Sequence, residues 1–328
     1  MKWFGLLWEA ISPSLPALTT SFFSVLVGAL PFMVIAAFAS AILEVFVSKD
    51  AIARLVPKNR LLGVLLAPVL GLVVPMCECG IVPVARRMVQ KGVPAGAAIT
   101  FMLANPILNP LSLYSTYLAF PFAREMIFWR AGLAYLVSVI IGFMIVVGLR
   151  RGSDFAILHT DHEVAATAEG VHACDCGHEH GEHHHHNQPF GEKVQAVLDH
   201  AASEFFDVSK YFIIGAALAA ISQALISREM LEAVGQGPVI SVLVMLTFAF
   251  LICICSEADA FVAAAFASTF TPGALLAFLV AGPMTDIKNT LMMSSAFKRR
   301  FVLFLNVSIL TLTALATILL NYTLGWGG

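Results

Sequence analysis

All six cysteines of the chain stand in Cys-x-Cys pairs: Cys77/Cys79, Cys174/Cys176 and Cys253/Cys255. Neighbours two apart bridge each other poorly and the three settings differ, so a disulfide framework is a weak explanation. Ligand chemistry is a better one, because thiolates are soft donors that select Cu(I), Zn(II) and similar ions. The first pair lies in "VPMCECGIVPVARR" (74–87), with Glu78 between the thiols. The last opens "CICSEAD" (253–259), which adds Glu257 and Asp259. Cys77, Cys79 and Cys255 are the candidate three-sulfur set, with Met76 and Met284 as weaker thioether donors, while Cys253 reads as a small buried hydrophobe. A trigonal thiolate set suits trivalent arsenic as well, so these residues alone do not choose a cargo. The middle pair opens "CDCGHEHGEHHHH" (174–186), where Cys174, Cys176, His178, His180, His183, His184, His185 and His186 crowd one short tract. Imidazole suits zinc, copper and nickel, and such composition is a metal-binding signal.

The elements that must position these groups are hydrophobic. Of 328 residues 59% are apolar and 12% charged, against about 25% charged in soluble domains. Apolar runs recur, several of about 18 residues or more, the length that spans a bilayer. The chain therefore reads as an all-α polytopic membrane protein whose first partner is the lipid bilayer. Its net charge of −2 gives no reason to expect nucleic acid. Residues 1–20 form an interfacial segment with Trp3 and Trp8 at headgroup level, and Glu9 argues against a signal peptide. Residues 21–149 and 203–328 are two transmembrane repeats, separated by a polar Cys/His-rich linker, 150–202, that holds all ten histidines.

The halves repeat. "GAAITFMLANPILN" (96–109) matches "GALLAFLVAGPMTD" (273–286) at one offset, pairing Gly96 with Gly273, Pro106 with Pro283 and Asn109 with Asp286. A one-residue slip upstream pairs Cys77 with Cys255. Basic residues flank 61–91 on both sides (Lys49, Arg54, Lys58, Arg60; Arg86, Arg87, Lys91), which puts both ends of that segment in the cytoplasm. It then reads as a re-entrant hairpin with Cys-Glu-Cys at its tip. The matching flanks of the second half lack this bias, whereas Arg150/Arg151 and Lys298/Arg299/Arg300 return to the cytoplasm. The expected plan is two inverted repeats, each with three spanning helices, a re-entrant hairpin and a Pro-broken helix. Eight or more full spans is the alternative.

Inverted repeats with broken helices place their binding site near the midplane. Pro75 and Gly80 favour a departure from helix around the first thiol pair, and irregular backbone at that depth belongs beside a protein-lined cavity. Carboxylates within a membrane mark functional sites by default, which selects Glu78, Glu257, Asp259 and Asp286. In "ANPILNP" (104–110) and "AGPMTDIKN" (281–289), proline interrupts each helix. Asn105, Asn109, Asp286 and Asn289 supply oxygens there, and Lys288 can neutralise Asp286. No phosphate loop, kinase motif or nucleophile elbow occurs, so neither an enzyme nor an ATP-driven pump in one chain is expected and no cofactor is required.

The stretches "PMCECGIVPVARRMVQKGVPAGAAITFMLANPILNP", "CSEADAFVA" and "FLVAGPMTDIKNTLM" resemble the predicted-permease family that includes the organoarsenical efflux permease ArsP. The chain is most similar to a branch with a Cys/His-rich central insert, described as copper/zinc efflux transporters of the bacterial inner membrane. The resemblance implies a secondary transporter that exports thiophilic ions, Cu(I) and Zn(II) foremost, in exchange with cytoplasmic metal donors. Efflux of arsenite or trivalent organoarsenicals is the alternative cargo, and a non-transporting membrane metal sensor or scaffold the alternative class.

Overall fold

A computed structural model describes residues 59–70, 78–148, 157–158, 190–225 and 237–325, with scattered helical positions between 19 and 42. The regular structure among them is helical. The helices are α1 (Arg60–Leu70), α2 (Glu78–Gln90), α3 (Ala95–Leu108), α4 (Pro110–Ala119), α5 (Glu125–Gly148), α6 (Phe190–Leu225), α7 (Ile240–Ile252), α8 (Ser256–Ala265), α9 (Pro272–Met284), α10 (Ile287–Ala296) and α11 (Arg299–Thr323). Among the described residues three helical stretches are long and apolar enough to cross a membrane: 95–119, which joins α3 to α4, and the continuous α5 and α11. At 1.5 Å per residue α5 and α11 run about 36 Å, enough for a hydrocarbon core of about 30 Å. The 11 residues of α1 and the 10 of α8 reach only about 16 Å, roughly half of that core.

The two interrupted helices do not break at their internal prolines. Pro106 lies inside α3 and Pro283 inside α9. The first break falls at Asn109, φ −54° and ψ 130°, because the ring of Pro110 excludes the α region from the residue before it. The second falls at Thr285 and Asp286, both extended. Proline thus weakens the last turn of each helix, and the chain departs two or three residues later.

Packing is matched between the halves. In the first, α3 lies against α1, α2 and α5; in the second, α9 lies against α7, α8 and α11. The short helices are exchanged: α4 packs on α8, and α10 packs on α2. Close approach depends on small residues. A methyl group at Gly142 would run into Thr100 Oγ1 and Val64, and one at Gly96 would meet Val146 and the Gly142 carbonyl, so α3 and α5 touch nearly backbone to backbone. Gly273, the counterpart of Gly96, has no room for a methyl because Asn321 of α11 fills the space.

One buried cluster joins α1, α2, α3 and α5 to the break of the second half through Val280, Met284 and Met293. A second joins α7, α8 and α9 to Phe120 and Met126 of the first half. Large apolar side chains on the opposite faces, Phe128, Leu136 and Val147 on α5 and Leu303, Val307 and Leu315 on α11, are exposed, as suits helices whose outer solvent is lipid. The N-terminal end of the linker is docked. Ile157 and Leu158 are buried, Lys298 N donates to Ile157 O at 2.9 Å, and Leu158 bridges Phe297. At its other end, α6 begins at Phe190, within the polar segment, and packs on α10, α7 and α2.

Candidate functional site

The polar groups of both halves meet where the helices stop. Helix α7 ends at Cys253, whose φ of 51° and ψ of 50° put it in the left-handed region. Few non-glycine residues adopt that conformation, and it turns the chain sharply enough for α8 to begin at Ser256. Cys253 itself is buried, in keeping with a structural reading. Cys255 caps α8 from an extended backbone with its thiol exposed, within electrostatic reach of Glu78, Glu257 and Asp259. It immediately precedes α8, and the repeat alignment pairs it with Cys77, one position before the first described residue of α2.

Glu78 is the first residue of α2 and is 1% exposed. Its Oε1 accepts from Lys288 Nζ at 3.2 Å, a pair that joins the first half to the second. The same ammonium stands 3.8 Å from Asp286 Oδ2. Neutralisation of Asp286 by Lys288 was expected from sequence; the shorter bond, to Glu78, was not. Asp286 caps α10 by accepting from Asn289 N through Oδ1, and Asn289 Nδ2 donates to Met284 O at 3.3 Å. In the first half Asn109 Oδ1 accepts from Leu111 N at 3.0 Å and so caps α4. The residues paired by the repeat thus do the same local work, which also means that Asn109 spends this oxygen on its own backbone. Asn105 is buried within the last turn of α3, and Asn109 N donates to its carbonyl.

Asp259, 1% exposed, lies within electrostatic reach of Arg130, Glu78, Asp286 and Lys288. Gly282 makes room for it: a methyl there would stand 3.2 Å from Asp259 Oδ2. Half-buried Glu257 is in reach of Glu78 and Arg130. Four carboxylates therefore share this interior with two cations. Glu78 Oε2, Asp259 Oδ2 and Asp286 Oδ2 are buried and accept no hydrogen bond.

Arg130 is the residue that the sequence reading missed. It is wholly buried; Nη1 donates to Thr116 Oγ1 at 2.6 Å and Nη2 to Ser256 O at 3.0 Å. Ser112 Oγ donates to that same carbonyl at 3.2 Å. The signal was present as a lone arginine inside the apolar run 126–149. Asn306 was missed as well: it accepts from Thr285 Oγ1 and donates to Thr290 Oγ1, each at 2.8 Å, and so straps the second break to α11.

Cys77 and the linker ligands Cys174, Cys176, His178, His180, His183, His184, His185 and His186 lie outside the described residues, as does the side chain of Cys79. Among the described residues no three His, Cys, Asp or Glu side chains are grouped so as to hold a metal ion. What this interior does offer, among the described residues, is a group of carboxylates bridged between the halves by Lys288 and neighboured by Arg130, which is fixed to the Ser256 carbonyl.

A family model described as predicted permease (ArsP_1) matches residues 14–322. The chain is 45% identical over 303 residues to the UPF0718 protein YcgR of Bacillus subtilis, covering 92% of this chain and 96% of that one. It is 34% identical over 282 residues to a Streptococcus mutans protein whose provisional name is two-component membrane permease complex subunit, covering 86% and 87%. A shorter match, 34% over 73 residues, joins it to the UPF0718 protein YraQ of Escherichia coli, 22% of this chain and 21% of that one. No solved structure matches. By these matches over most of its length, the chain belongs to the ArsP_1 family of predicted permeases, a family of membrane proteins.

Proposed function

We propose that the protein is a secondary transporter that exports thiophilic metal ions, Cu(I) and Zn(II) foremost, from the bacterial cytoplasm across the inner membrane. The observation that carries this reading is the surplus of carboxylates over cations at the junction of the halves, three of them with a buried oxygen that accepts no hydrogen bond. Uncompensated negative charge in a low-dielectric interior is strongly unfavourable, so the arrangement favours a cationic cargo. Cys255 stands at its edge with an exposed thiol, and Cys77 and Cys79 are assigned to the same path by sequence. Few thiolates at a time suit a carrier, since a closed tetrahedral cage would bind without release.

In this reading the Cys/His-rich tract collects the ion on the cytoplasmic side. The docking of Ile157 and Leu158 beside Phe297 and Lys298 supports that placement, because basic clusters flank both strands of the contact. The exchanged packing of α4 on α8 and α10 on α2 supports inverted repeats that rock about the shared interior. The Streptococcus mutans relative is named as one subunit of a two-component complex, and we extend to this chain the proposal of a second subunit.

Metal uptake into everted vesicles tests the reading. Vesicles carrying the wild type should accumulate Zn(II) and Cu(I), and Cys77→Ser should abolish accumulation. Deleting 160–190 should lower uptake at limiting metal. Arsenite or trivalent organoarsenical uptake that depends on Cys77 while copper and zinc stay outside would transfer the function to metalloids. No flux of any of these, with metal still bound, would make the chain a sensor or scaffold.

A further inference from the structure

We infer that the Lys288 ammonium is a tethered stand-in for the transported cation, and that loading the site displaces it from Glu78 and so releases the link between the halves. This rests on the export reading and specifies how its central site exchanges charge.

The first argument is position. Lys288 lies in the first turn of α10, and its partner Glu78 is the first residue of α2. Helix N-termini favour anions and disfavour cations. Glu78 and the capping Asp286 are therefore well placed by their own helices, and the lysine is not. What holds it there is the pair of carboxylates, at 3.2 and 3.8 Å, together with the ring of Phe212, whose centroid is 5.8 Å from Nζ. A cation that satisfies the same carboxylates without opposing the helix dipoles competes directly with it.

The second argument is the oxygens left over. Glu78 Oε2, Asp286 Oδ2 and Asp259 Oδ2 are buried without a hydrogen bond while Lys288 is in place. An ion with several coordination positions can gather oxygens that one ammonium cannot. Cargo then exchanges for ammonium with the carboxylates remaining where they are.

The third is the side chain itself. Lysine carries a point charge on a flexible stem and can retract, whereas a guanidinium would grip two carboxylates through a planar fork. Because Glu78 and Lys288 belong to different halves, the exchange changes what joins α2 to α10. With the site empty the ion pair ties α2 to α10; with it loaded that tie runs through the cargo, while the other contacts between the halves remain.

The test is Zn(II) uptake into everted vesicles carrying the full chain, read as KM and maximal rate for wild type, Lys288→Met, Lys288→Gln and Lys288→Arg, each checked for a monodisperse profile in detergent. Removing the competitor should lower KM by at least about tenfold in Lys288→Met and Lys288→Gln, with a reduced maximal rate because nothing expels the ion. Lys288→Arg should raise KM, since its fork is harder to displace. A purely structural lysine would give the opposite order, with arginine nearest to wild type and methionine worst. That order, or an unchanged KM in either neutral variant, would overturn the inference while leaving zinc export standing. Absence of Zn(II) uptake by the wild type would overturn both.

Discussion

Among the described residues two polar seams lie between the halves of this molecule, and by the register of the repeat they are counterparts. At one, α10 meets α2 and Lys288 is paired with Glu78. At the other, α4 meets α8, and Arg130 with Ser112 donates to the Ser256 carbonyl. The same backbone arrangement thus carries two chemistries. The first bond is between charges, and another cation can take the place of the ammonium. The second runs from a guanidinium to a neutral carbonyl and a neutral hydroxyl, so its hydrogen bonds do not depend on a carboxylate, although Asp259 and Glu257 lie within electrostatic reach of Arg130. On the proposed reading the Lys288 seam exchanges its cation and the Arg130 seam does not. A carrier built from near-equivalent halves acquires in this way a loaded side and a pivot.

The largest effect expected is at the exchangeable seam. Glu78→Ala takes from the buried Lys288 ammonium its shortest carboxylate contact, and breaking such a pair costs about 3–5 kcal/mol. Thermal unfolding in detergent should fall accordingly, with metal uptake lost. The reversed double variant, Glu78→Lys with Lys288→Glu, should recover part of the stability but not uptake, because the ammonium would then stand among different oxygens. If Glu78→Ala unfolds like the wild type, the pair is not what ties α2 to α10.

At the fixed seam Arg130→Met should cost about 3 kcal/mol, since two donated bonds are lost and the Thr116 hydroxyl loses its charged partner. Arg130→Lys should rescue little, because an ammonium has no rigid fork with which to hold Thr116 and Ser256 at once. The contrast with Lys288 is the point of the pair of experiments. At position 288 lysine and arginine should differ in KM, and at position 130 they should differ in stability. Equal behaviour at the two positions would erase the distinction between the seams.

The charged residues of the Lys288 seam stand out in the sequence for a physical reason, though their pairing does not. Glu78, Asp286 and Lys288 are expensive in lipid, so their presence inside apolar runs announces a buried use. The equivalence of Asn109 and Asp286 was legible too, from one constant offset, and it reappears as two helix caps. The fixed seam was not. Arg130 lies only five residues after the start of α5, where a long basic side chain can reach the interface. Only the packing of α4 and α8 against it makes it an interior residue. The sharp turn at Cys253 was equally hidden, since no glycine or asparagine marks the left-handed position. The proline pattern predicted two breaks correctly but misplaced them, because the residue before Pro110 and the cap at Asp286, and not the inner prolines, decide where helix stops.

The seams work only if the helices that carry them are rigid, which packing away from the charges should test at a smaller scale. Gly142→Ala would push α5 off Thr100 and Val64 of the neighbouring helices, at a cost of about 2 kcal/mol. Because α5 also bears Arg130, the displacement should lower the maximal transport rate together with stability. Zinc KM should stay put, since nothing at the Lys288 seam has moved. A change in KM of the size expected for Lys288→Met would mean that the two seams are mechanically one.

The smallest effect belongs to the far end of the second half. Asn321 accepts from Gly273 N at 3.1 Å and donates to Pro238 O at 2.9 Å and to Thr271 Oγ1 at 3.0 Å, which pins the start of α9 to α11. Asn321→Ala removes these bonds and should cost about 1 kcal/mol, read as a modest fall in the unfolding temperature. Its contacts lie at the opposite end of α9 from Gly282 and the break, so uptake rate and KM should both match the wild type. That result would confine the transport phenotype to the two seams. A transport defect as deep as that of Arg130→Met would instead show that α9 moves as a rod about its Asn321 end, and the pivot would then have to be placed there.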